Sequence, residues 1–207
     1  MRITKIEIKE YEKNFISHTN LGSEQFFSRF GWYIKIYSDD LYGIGEAAPI
    51  PKISVETHEE AGYALNGFKL ALEGIDYDIE LEELLLLSDV HGFNIGSARF
   101  AIESAIYHLF SQSKGQSIAE YLNPNYLSKI NINAIYNNRS TLKSCDTNIL
   151  KIKINNFNIF DIKEKLDKII EKYSHDVKLR LDFNEGLDLP RSIRVCKELQ
   201  LYNIDYI

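Results

Sequence analysis

From about residue 130 onward, short β-branched runs alternate with amphipathic helical stretches, and no other feature of the sequence restricts the fold as much. "INAIY" (132–136), "ILKIKI" (149–154), "VKLRLDF" (177–183) and "NIDYI" (203–207) read as strands. Residues 159–173 carry Phe160, Leu166, Ile169 and Ile170 at helical spacing. A second helix spans 190–200, with Pro190 suited to its first turn. Strands separated by helices pair in parallel, because the crossover returns each strand in the same direction.

The first half has a different rhythm. Ile3, Ile6 and Ile8 open the chain, and "GWYIKIYSDDLYGIGEA" is a hairpin pattern turning at Asp39 and Asp40. Residues 12–30, with Gly22, Ser23, Phe26 and Phe27, read as a long polar and aromatic loop. Helical spacing follows over 56–73 and 77–87. "GSARFAIESAIYHLFSQ" is clearer, with Ser97 as N-cap and a stripe of Ala98, Ala101, Ile102, Ala105, Ile106 and Leu109. A short helix around 117–122 ends before Pro124. The expected organisation is an α+β domain over 1–128, then parallel β/α units over 129–207.

Charge and composition narrow the function classes. The 207 residues carry a net charge of −6, with basic residues scattered singly, which argues against a nucleic-acid surface. Two cysteines, Cys145 and Cys196, make neither a disulfide framework nor a metal spacing and read as reduced thiols. The N-terminus lacks the apolar core of a signal peptide, and no window approaches a membrane span. The expectation is a soluble cytoplasmic protein acting on a small molecule, with no nucleic-acid or membrane partner.

One strand carries unusual chemistry. In "ILKIKI", Lys151 and Lys153 share a face with Ile149, while Leu150, Ile152 and Ile154 take the other. Parallel β/α folds gather their chemistry at the C-terminal ends of strands. Asp182, followed by Asn184, ends the next strand, one β-α-β unit on. A lysine beside a second cation, partly desolvated, becomes usable as a general base. A carboxylate at the adjacent strand end can hold a divalent metal against a developing enolate. The same residues also fit a solvated lysine face and a turn-forming aspartate.

"YGIGEAAPIP", "SARFAIESAIYHL", "LKIKI" and "LRLDFNEG", in this order, resemble the enolase superfamily in its muconate-lactonizing-type subgroup. The resemblance implies an α+β capping domain followed by a (β/α) TIM-type barrel, here partial. It implies that Lys153 is the acid/base, Lys151 its modulating neighbour and Asp182 a ligand of Mg2+, with Asn184 the polar residue on the substrate side. Within the subgroup, "GEAAPIPKISVET" and "LRLDFNEG" look most like the o-succinylbenzoate synthases, which dehydrate a cyclohexadiene carboxylate in menaquinone biosynthesis. Dipeptide epimerases and muconate cycloisomerases share these motifs.

The family also needs acidic ligands on barrel strands four and five and a lysine on strand six. With Ile207 at the end of strand four, the resemblance leads to the expectation of a truncated product, inactive alone and poor at binding magnesium. Its partner would be the missing C-terminal barrel half, or a second copy joined through open strand edges. A non-catalytic half-barrel is the alternative from a different functional class.

Overall fold

The computed structural model describes residues 1–21, 24–136 and 147–207. They form two compact units, Met1–Tyr126 and Leu127–Ile207.

The first unit is a three-stranded antiparallel sheet with helices against one face. Its strands are β1 (Lys5–Leu21), β2 (Glu24–Ser38) and β3 (Leu41–Ala47), in that order across the sheet. The register pairs Ile6 with Ile36 and Ile8 with Ile34, so one face is apolar. Helices α1 (His58–Leu72), α2 (Leu81–His91), α3 (Gly96–Ser113) and α4 (Ile118–Leu122) follow. The core joins Ile34, Ile36 and Ala47 to Leu65 and Phe68 of α1 and to Ala101, Ile102 and Ile106 of α3.

Two expectations for this unit are corrected. Residues 12–30 are not a loop. They lie largely in β1 and β2, which continue as a two-stranded ribbon beyond the helix-covered part of the sheet, with Gly22 and Ser23 outside the described residues. A ribbon with little to bury shows no apolar alternation; Ile16 is fully exposed and Phe27 is 67% exposed. Nor is Ser97 an N-cap: α3 starts after Ile95 with no side-chain cap of its own. The Ser97 N–H instead donates to Glu56 Oε1 at 2.8 Å, so a carboxylate from before α1 serves the N-terminus of α3.

Glycines explain how closely α3 lies on the sheet. A Cβ at Gly43 would fall 1.8 Å from the Ala105 carbonyl oxygen, and one at Gly45 would fall 1.9 Å from that of Ala101. Strand β3 and helix α3 therefore meet backbone to backbone, with alanines on the helix side. The free edge of β3 is satisfied by the same helix: Ile44 N–H donates to His108 Nδ1, and Gln112 Nε2 donates to the Tyr42 carbonyl.

The second unit is a four-stranded parallel sheet in the order β4 (Ala134–Ile135), β5 (Ile149–Lys153), β6 (Lys178–Asp182), β7 (Ile204–Tyr206). Helix α5 (Ile159–Tyr173) is capped by Asn158, and α6 (Leu189–Glu198) by Asp188 with Pro190 in its first turn. Both pack on one face: Ile162, Leu166 and Ile169 of α5 and Val195 of α6 join Leu150, Ile152, Leu179 and Leu181 in one core. This is the fold class expected, an α+β domain followed by parallel β/α units. No helix among the described residues is long and apolar enough to cross a membrane. Cys145 lies outside the described residues, and Cys196 is an exposed free thiol.

Candidate active site

The burial pattern of β5 orients the site. Leu150, Ile152 and Ile154 are buried in the core beneath α5, so the pleat turns Lys151 and Lys153 to the opposite face. Ile149, also buried, lies outside that core. In the parallel register Lys151 pairs with Arg180, and Lys153 with Asp182. All four residues therefore belong to the helix-free face.

Asp182 is the centre of the arrangement. Its Oδ2 lies 2.8 Å from Lys151 Nζ, and its Oδ1 accepts the Asn184 N–H at 3.0 Å. The hydrogen-bonded Lys151 ammonium holds the Asp182 carboxyl below its ordinary range; burial opposes this, while the Asn184 N–H and the charge of Lys153 add to it. Asn184 and Glu185 both have positive φ, 48° and 59°, which turns the chain sharply at the strand end. Asparagine tolerates that conformation well. The backbone of Asn184 thus positions Asp182, while its side chain is exposed. Lys153 has no carboxylate within ion-pair distance among the described residues. Its carbonyl accepts from Lys165 Nζ of α5 at 2.9 Å, and burial lowers the pKa of Lys165.

A cleft of about 370 Å³ opens at these strand ends, lined by Lys151, Arg180, Asp182, Asn184, Ser192 and Tyr206 among others. That volume suits a small ligand. Arg180, Asp205 and Asn133 were not singled out from sequence. Arg180 precedes Asp182 by two residues in "LRLD", so the alternation that groups the two lysines also groups Arg180 with Asp182.

The arrangement does not by itself complete a magnesium site. Magnesium wants about six oxygen ligands in near-octahedral geometry. Asp182 offers one carboxylate, with both oxygens already hydrogen-bonded. Among the described residues no three metal-ligating side chains come together.

Comparison with known proteins follows the same lines. Residues 3–80 match the MenC N-terminal domain. An L-Ala-D/L-Glu epimerase from Clostridium acetobutylicum is 25% identical over 185 residues, 81% of this chain and 49% of the relative. Among solved structures, a dipeptide epimerase from Enterococcus faecalis, complexed with Mg and the dipeptide L-Leu-L-Tyr, shares the fold. Its TM-score is 0.80 and its identity 19%, covering 99% of this chain and 60% of that one. A muconate lactonizing enzyme from Mycobacterium smegmatis has a TM-score of 0.73 and 18% identity, over 99% of this chain and 58% of that one. The chain resembles the enolase superfamily, over the N-terminal part of that fold. The chain spans about half the length of the curated relative it matches.

Proposed function

We propose that this chain carries the lysine side of a site that removes a proton alpha to a carboxylate. Lys153 is the acid/base, Lys151 its modulating neighbour, Asp182 one contributor to a magnesium site, and Asn184 the polar residue beside it. One observation supports this above the rest: two lysines and an aspartate share one face at the C-terminal ends of adjacent parallel strands, and Lys151 and Asp182 of these line a cleft of ligand size. Lys153 has no carboxylate at ion-pair distance among the described residues, while Lys151 is engaged with Asp182. The substrate is a small carboxylate. Magnesium would supply charge stabilisation to the enolate, with its remaining ligands coming from outside the residues described. β4 and β7 are the outer strands of this sheet among the described residues, and further strands would pair there.

Two overall reactions fit this half-reaction. Dehydration of the o-succinylbenzoate synthase type is supported by the MenC N-terminal domain match. Epimerisation of a dipeptide is supported by the Clostridium relative and by the Enterococcus structure. Cycloisomerisation of the muconate type is supported by fold alone.

Deuterium uptake at the substrate α-carbon tests the shared step, and product analysis separates the reactions. The gene product is incubated in deuterated buffer with magnesium and either the cyclohexadiene carboxylate or L-Ala-L-Glu. Uptake abolished by Lys153→Ala is the expected result. Uptake or product formation that persists in that variant removes Lys153 from its role, and neither uptake nor product with either substrate favours the non-catalytic half-barrel.

A further inference from the structure

Arg180 lies on the face that carries the lysines, and its side chain is 15% exposed. Its Nε donates to Asp205 Oδ2 on β7 at 2.8 Å, and its Nη1 donates to Asn133 Oδ1, just before β4, at 3.0 Å. The Tyr206 ring covers the guanidinium, 4.8 Å from its centroid. One side chain on β6 thus reaches β7 on one side and, across β5, the start of β4 on the other.

Among the described residues this face carries two ion-paired carboxylates, Asp182 and Asp205, each with one cation at ion-pair distance: Lys151 for the first, Arg180 for the second. Lys151 and Arg180 are direct register partners. Asp205 sits one strand beyond Arg180. With strands about 4.8 Å apart, Lys151 on β5 and Asp205 on β7 are separated by about 10 Å of backbone, a span the two extended side chains together can bridge. A partly buried carboxylate deprived of its cation is costly and recruits the nearest replacement. We propose that Arg180 is a positioning residue which, by holding Asp205, commits Lys151 to Asp182. The proposal rests on the reading that Lys151 and Asp182 belong to the site. In it, Arg180 acts by removing a competing carboxylate, and its bridging of the strands is secondary.

The test follows the Lys151 ammonium by NMR in the 15N-lysine-labelled chain, with Lys151→Arg to assign the signal. In the wild type, Asp182→Asn should raise exchange of the Lys151 ammonium protons with water about fivefold, the scale of one ion pair. In Arg180→Met, the signal should become sensitive to Asp205→Asn and lose its sensitivity to Asp182→Asn. In Arg180→Met/Asp205→Asn, which removes the competing carboxylate along with its cation, the wild-type sensitivity to Asp182→Asn should return. Arg180→Lys keeps the charge and should behave like wild type. Continued dependence on Asp182 in Arg180→Met overturns the proposal. So does a double variant that keeps its helical circular dichroism and does not recover the pair, since that outcome means Arg180 acts only as a strand tie. None of these readouts involves turnover, so absence of either proposed reaction leaves them interpretable.

Discussion

Lys151 Nζ sits 2.8 Å from Asp182 Oδ2, while Lys153, the register partner of Asp182, has no ion-pair partner among the described residues. The two lysines of one strand face are therefore in different electrostatic situations. One neutralises the strand-end acid, and the other has no carboxylate at ion-pair distance among the described residues. Removing the acid by Asp182→Asn should cost about 0.5–1 kcal/mol at neutral pH, the worth of a partly exposed ion pair screened by solvent. Urea unfolding followed by circular dichroism measures it, and an unchanged midpoint would show that the pair contributes nothing to stability.

Glu56 provides a pH-dependent prediction. Burial raises the cost of its charge, but the nearby Ser97 hydroxyl, the Ser97 N–H donating at 2.8 Å and the backbone N–H of Glu56 itself outweigh this and hold the carboxyl below its ordinary value of 4.5. A carboxyl whose folded pKa is depressed adds stability that is complete above 4.5 and disappears as pH falls through the lower folded value. Glu56→Gln should therefore cost about 1 kcal/mol at pH 7, as loss of a charged cap at a helix N-terminus does. The difference from wild type should shrink below pH 4.5. A gap that stays constant down to pH 3 would mean that the amide loses packing rather than charge.

The β5 and α5 segments were legible because their periods are clean. In "ILKIKI" every second residue is apolar, and the lysines fall on the other face by simple alternation. The ribbon at 12–30 was not legible, because exposed strands held by backbone pairing leave no apolar period in the sequence. Ser97 misled for a related reason. Its side chain suits a cap, but Glu56, 41 residues earlier, holds its backbone N–H instead, and long-range pairing of that kind has no local signature. The turn at Asn184 was read through a family role, whereas its positive φ shows that its backbone shapes the site as well.

Core packing of the parallel unit should follow ordinary cavity energetics. Leu166 of α5 is fully buried against the strands. Leu166→Ala should destabilise the chain by about 2–5 kcal/mol, the range for buried leucine truncations. Because the two units have separate cores, thermal unfolding should show the transition of residues 127–207 shifting more than that of 1–126. Equal shifts of both transitions would show that the two units unfold as one.

The sharpest stability prediction concerns Gly45. An alanine Cβ at this position would meet the Ala101 carbonyl oxygen at 1.9 Å, a backbone atom inside a helix that cannot rotate away. Relief requires α3 to move off β3, which opens the contact among Ile34, Ala101 and Ile102 that fills this core. Overpacking of a close-packed interior typically costs about 1–3 kcal/mol, and a backbone clash falls at the upper end or beyond. Gly45→Ala should therefore lower the urea midpoint strongly, and Gly43→Ala, facing the Ala105 carbonyl at 1.8 Å, should do the same. Gly96, in the first turn of α3, has nothing within 4 Å of an added Cβ. Gly96→Ala should leave stability unchanged or raise it by up to about 1 kcal/mol through lost freedom of the unfolded chain. If Gly45→Ala and Gly96→Ala unfold alike, the helix does not lie directly on the strand backbone, and the close packing of β3 on α3 is wrong.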